Sequence, residues 1–194
     1  MREPEFSEFL ARVSRTMPVS MLAREAPLEK HEKCIKVDEG LPVFDALDLL
    51  EHNDCLALEN GKTVRKKYML KRPLRIMFFV LLTELESKLY RTQEWSGMPL
   101  EELNDKTFND FVRFLVDDKK LYAFQKEYSS KKEFREDLKA ASSFRNLMAH
   151  VNKKLEMETD FDTVLKRKHQ ILRLLRALAE ILDCLECERK NAKV

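Results

Sequence analysis

Leu74, Met77, Phe78, Leu81, Leu82, Leu85 and Leu89 recur at helical spacing. A stripe of this kind lies on one side of a helix and needs an apolar partner to cover it. The chain supplies three more. Phe108, Phe111, Val112 and Leu115 form the second, and Phe134, Leu138, Ala141, Phe144 and Met148 the third. The fourth is Phe161, Val164, Leu165, Leu172, Leu175, Leu178, Ile181, Leu182 and Leu185. Such helices bury their stripes against one another, which predicts a bundle. With 3 Gly and 6 Pro, the chain is short of the turn residues a sheet-rich sandwich needs. The helix ends are also marked. Pro73 stands near the first start, and Trp95-Ser96-Gly97-Met98-Pro99 closes that helix. Thr107 is a good N-cap, and Ser129 or Ser130 caps the next helix, with Glu133 placed as in a capping box. The last helix is expected from near Thr159 or Asp160 to about Glu188.

Before Pro73 the pattern differs. Residues 4–15 fit a short helix with Phe6, Phe9, Leu10 and Val13 on one side, and Pro18 and Pro27 break it. Cys34 to Val37 reads as a strand, and Asp38-Glu39-Gly40-Leu41-Pro42 as a turn, with Pro42 suited to the first turn of a helix. Val43, Ala46, Leu47, Leu49 and Leu50 give that helix an apolar face. Cys55 to Leu58 reads as a buried strand, Asn60-Gly61 as a hairpin turn, and Thr63 to Leu70 as the return strand. The order is βαββα.

Charge and cysteine content narrow the classes. Lys and Arg number 36 against 34 Asp and Glu, a net charge of +2, so any case for nucleic acid must come from local distribution. Met1 to Ser20 lacks an apolar core of the secretory type, and the longest apolar run, Ile76 to Leu82, is too short for a membrane span. A cytoplasmic protein with reduced thiols is expected. Cys184 and Cys187 form a lone C-x-x-C that closes a helical pattern, where the helix field raises a thiol pKa. Cys34 and Cys55 are remote from it in sequence, so structural thiols are expected and no metal site.

The segment suited to chemistry is Arg145-Asn146-Leu147-Met148-Ala149-His150. On a helix, Asn146 and His150 share a face at i, i+4, so the amide can orient the imidazole. Arg145 lies one position round. A guanidinium fork suits phosphate oxygens, and a histidine moves protons near neutral pH. An arginine and a histidine near a helix end also serve simply to bind terminal carbonyls. Between Asp162 and Glu180 there is no acidic residue, while Lys166, Arg167, Lys168, Arg173 and Arg176 are basic. They form either a phosphate-tracking strip or a solvated face.

The stretch from Phe144 to Asn152, with Arg145, the polar Asn146 and His150 after a gap of four, resembles the signature of HEPN domains. The resemblance extends over about Pro73 to Glu188. It implies an all-helical bundle and a metal-independent endoribonuclease in which two protomers face one cleft. His150 would transfer protons, Arg145 would stabilise the phosphorane-like transition state, and Asn146 would position the histidine. Lys166, Arg167, Lys168, Arg173 and Arg176 would hold RNA, and no cofactor is expected. Residues from about 17 to 92 resemble a CBS domain, through Lys36 to Leu47 and Asp54 to Lys62. That family works in pairs and often binds adenosine-containing ligands. Here Val64 to Pro73 lacks the glycine and the Ser/Thr-x-x-Asp that hold a ribose. The resemblance therefore favours a scaffold in a homodimer over an adenine nucleotide site. Phe78 or Phe79 would serve that dimer interface.

The expected fold is mainly α: an HEPN-like antiparallel bundle over 73–190, preceded by a βαββα CBS-like unit over 17–72. An N-terminal helix over 1–16 and a shared helix over 73–92 complete it. The alternatives are a non-catalytic RNA- or nucleotide-binding regulatory module and a plain partner-binding helical protein.

Overall fold

The computed structural model describes residues 17–25, 31–70, 72–104, 106–149 and 160–192. The N-terminal helix expected over 4–15 lies outside them. The chain is mainly helical with one three-stranded sheet. Its described residues divide into two compact units, 17–79 with 160–166, and 80–149 with 167–192.

The first unit holds the sheet. A 3₁₀ turn, Val19–Leu22, precedes β1 (Cys34–Val37), α1 (Val43–Glu51), β2 (Cys55–Leu58), β3 (Thr63–Arg65) and α2 (Lys66–Met69). β1 and β2 run parallel through the α1 crossover, and β2 and β3 are antiparallel. Pro42 is the N-cap of α1 rather than a residue of its first turn. Its carbonyl accepts from Ala46 N at 3.0 Å, and its fixed φ suits the entry. α1 buries Val43, Phe44, Ala46, Leu47 and Leu50, with Leu49 half-buried. The Asn60-Gly61 turn forms as expected. Gly61 takes φ +79°, and Asn60 Oδ1 accepts from Lys62 N at 2.9 Å.

β3 stops at Arg65, short of the expected Leu70. Arg65 pairs with Cys55, the first residue of β2, so a longer β3 would have no ladder partner. The chain turns instead into α2, which buries Met69. The same register corrects the cysteine reading. Cys34 and Cys55 are opposite one another with Cα atoms 4.6 Å apart, and their sulphurs are bonded. Two of the four thiols expected to be reduced therefore form a disulfide. Closing a loop of this length contributes about 3 kcal/mol in the chain-entropy account.

The second unit takes residues 80–95 of α3 (Arg72–Trp95), then α4 (Leu100–Asn104), α5 (Phe108–Asp117), α6 (Lys119–Phe124) and α7 (Lys131–Ala149). It ends with residues 167 onward of α8 (Phe161–Asn191). All seven residues of the first stripe are buried along α3. At about 1.5–3 kcal/mol for each fully buried side chain, such stripes outweigh any intrinsic helix preference. Gly97 ends α3 at φ +97°, with Met98 N donating to Gln93 O and Gly97 N to Glu94 O, as in a Schellman motif. Thr107 caps α5 with a full capping box to Asp110, which holds the Asp110 carboxyl below its usual range. Ser130 Oγ accepts from Glu133 N at 3.2 Å, but the Glu133 carboxylate is drawn away to Arg173. Asp160 caps α8 through Thr163 N at 2.7 Å. No helix among the described residues is long and apolar enough to cross a membrane.

Lys88 departs from the apolar pattern of α3. It is 1% exposed, its Nζ makes no hydrogen bond, and Glu84 Oε1 is 3.7 Å away. Burial holds its ammonium below the ordinary lysine range, and Glu84 only partly offsets this. The unfolded chain therefore keeps a proton that the folded state loses first. The cost is present in full below the folded pKa and is relieved as pH rises toward the free-lysine range, about 10.4. Lys88→Met is expected to stabilise the protein by about 1–2 kcal/mol at neutral pH, because the stem volume is kept and the charge removed. Urea denaturation at pH 7 and pH 9.5 should show the gap between the two proteins narrowing at the higher pH.

Candidate active site

α7 buries Phe134, Leu138, Ala141, Phe144 and Met148, which fixes the rotation of the helix. Arg145 and Asn146 then fall off the buried stripe near its C-terminal end, Arg145 half-buried and Asn146 exposed. Arg145 Nη2 lies 3.3 and 3.4 Å from the two Glu86 carboxylate oxygens, on α3. These distances exceed the ~2.7–2.9 Å of a tight charge-assisted bond. Both side chains keep about a third of their exposure, 37% and 34%. A pair this open and this loose contributes about 0–1 kcal/mol, so an anion with better geometry can displace Glu86. Glu86 was not foreseen. It carries no motif, and its pairing depends on two helices 59 positions apart in sequence.

His150 lies outside the described residues. The structure thus places Arg145 and Asn146 side by side near the end of α7, and the third member of the expected group is not placed.

The five basic residues between Asp162 and Glu180 do not act alike. Lys166 is exposed, and Arg167 donates to Gln170 Oε1 at 2.6 Å. Lys168 is 3% exposed, which removes it from any solvent-facing strip. At about 100° per residue, Lys168 stands about 200° round the helix from Lys166, within the apolar arc. Arg173 is used internally. It pairs with Glu133, donates to Glu127 O at 2.6 Å, and stacks 4.0 Å from the Tyr128 ring centroid. Arg176 Nε sits 3.2 Å from Glu127 Oε2 and remains exposed.

The Arg173 contacts belong to a polar network that sequence reasoning missed. Tyr128 OH donates to Asp137 Oδ2 at 2.9 Å, and Gln170 Nε2 donates to Asp137 Oδ1 at 2.6 Å. Gln125 brackets the Tyr128 backbone, accepting from its N at 2.8 Å and donating to its O at 3.1 Å. Burial, with Asp137 beside it, pushes the Tyr128 phenol well above its usual range, so it stays a neutral donor. With its groups paired in this way, the network serves to fix α7 against α8. Cys184 is half-buried with its thiol pushed up by desolvation, and Cys187 is exposed.

Comparison of the chain with protein-family models, with curated proteins and with solved structures finds no match in any of the three.

Proposed function

We propose that this protein is a metal-independent endoribonuclease of the HEPN type, acting as a homodimer. The supporting observation is Arg145: a half-exposed guanidinium next to an exposed Asn146, held among the described residues by a loose pair with Glu86. The reading assigns His150 to proton transfer at the ribose 2′-OH and the leaving 5′-oxygen. Arg145 binds the phosphate and stabilises the charge that builds on it. Asn146 holds the imidazole tautomer. The products are a 2′,3′-cyclic phosphate and a 5′-hydroxyl. Of the five basic residues between Asp162 and Glu180, Lys166 and Arg176 are exposed and are the better candidates for contacting the RNA backbone; Lys168 and Arg173 drop out of that role. The order β1-α1-β2-β3, one parallel pair followed by an antiparallel one, supports reading the first unit as CBS-like and as a dimerisation scaffold.

The test uses the full chain with end-labelled RNA in EDTA, beside His150→Ala. Loss of about 100- to 10,000-fold in cleavage rate is expected for the variant. Equal cleavage by both proteins would remove His150 from the chemistry. RNA binding with no cleavage by either would replace the nuclease with a non-catalytic binding module.

A further inference from the structure

A second cluster, remote in sequence from Arg145, sits at the sheet end where β1 and β2 begin. Cys34 lies opposite Cys55 in the parallel pair, and Cys55 lies opposite Arg65 in the antiparallel pair. Register partners project from the same face, so the three side chains form one row across the sheet. The two sulphurs are bonded. Glu32, two residues before Cys34, brings a carboxylate oxygen within 4.8 Å of both sulphurs. That carboxylate accepts from Arg65 Nε at 2.8 Å and Nη2 at 2.7 Å. Cys55 is completely buried, whereas Cys34 is half-exposed.

We propose that Cys34–Cys55 is a thiol–disulfide exchange site for low-molecular-weight thiols and disulfides of the glutathione class, entered at Cys34. The asymmetry in exposure fixes the order of events. A glutathione thiolate attacks Cys34 Sγ, since Cys55 Sγ is sealed. The bond between the two cysteines breaks, and its electron pair leaves on Cys55. A mixed disulfide now joins Cys34 to glutathione. A second thiolate attacks the glutathione sulphur and releases oxidised glutathione and the Cys34 thiolate. Two electrons have passed from two small thiols to the protein, and both cysteines take up protons. The departing Cys55 sulphur has Arg65 as its register neighbour, but the Glu32 carboxylate paired with that guanidinium offsets its pull, so Cys55 takes up a proton as it leaves. Oxidised glutathione drives the same steps in reverse.

Glu32, Cys34 and Cys55 are also close enough to share a metal ion. Two features favour exchange instead. Arg65 holds both oxygens of Glu32 and repels a cation, and the sulphurs are already joined.

The test equilibrates the full chain in glutathione redox buffers, quenches with acid, alkylates in denaturant and maps peptides by mass spectrometry. Cys34 and Cys55 are expected to pass from alkylated to mutually bonded at one shared midpoint. Two variants check the point of entry. With oxidised glutathione, native Cys55→Ser should accumulate an adduct on Cys34 at least about tenfold faster than native Cys34→Ser does on Cys55. Circular dichroism confirms that both variants are folded. Alkylation that does not change across the buffers, or equal adduct rates, would overturn the proposal. So would stoichiometric zinc that shields both cysteines from oxidised glutathione until it is chelated.

Discussion

Arg145→Ala is expected to lower RNA cleavage by about 100- to 1,000-fold, read as kcat/KM on a labelled oligonucleotide. The magnitude is that of removing one preorganised donor to a developing oxyanion. Arg145→Lys should recover only part of the loss, because an ammonium keeps the charge but not the planar fork. Glu86 gives the reading its sharper test. Its carboxylate sits 3.3 Å from the Arg145 guanidinium, where a phosphate oxygen would compete with it. Glu86→Gln removes the competing charge. An exposed pair of ~0.2–1 kcal/mol corresponds to a KM lowered by up to about fivefold, with kcat little changed. If Glu86→Gln instead abolishes cleavage while the fold persists, the carboxylate has a direct part in the chemistry and Arg145 a merely structural one.

The largest effect on stability is expected at Phe78. Its side chain is fully buried, and its ring meets Phe44 edge-on with centroids 5.5 Å apart. Phe78→Ala should cost about 3–5 kcal/mol, of which about 0.5–1.5 kcal/mol belongs to the aromatic pair. Phe79, the next residue, is 46% exposed, and Phe79→Ala should fall within about 0.5 kcal/mol of wild type. Urea denaturation followed by far-ultraviolet circular dichroism measures both. Comparable losses from the two substitutions would mean that Phe79 is covered in solution. The contrast also corrects the choice between these residues as an interface. Phe78 belongs to the core, whereas Phe79 is exposed.

How much of this was legible depended on whether the signal was local. The α3 stripe, the Thr107 cap, the Asn60-Gly61 turn and the bounds of β1 and β2 could be read because periodicity and turn chemistry act within a few residues. What failed was set by partners far along the chain. β3 was overextended because its length is limited by where β2 starts. The Cys34–Cys55 bond depends on a parallel register that spacing does not reveal. The capping box at Ser130 was half right, since Arg173, 40 positions away, takes the Glu133 carboxylate. Lys168 is a different case. Its place in the apolar arc of α8 was readable from helical geometry, but counting charges along the sequence hid it. Within the candidate site, Arg145 and Asn146 were legible as residues, while Glu86 was not.

The first unit draws on two stretches that are far apart in the chain, which bears on where the chain can be cut. Phe161, Val164 and Leu165 are buried members of that unit, and Lys66 lies 5.2 Å above the Phe161 ring. A gene fragment ending before residue 160 would encode the sheet without those three side chains. A fragment cut there is expected to be less stable than the whole chain, so any truncation that keeps the sheet has to keep the stretch near residue 160 as well.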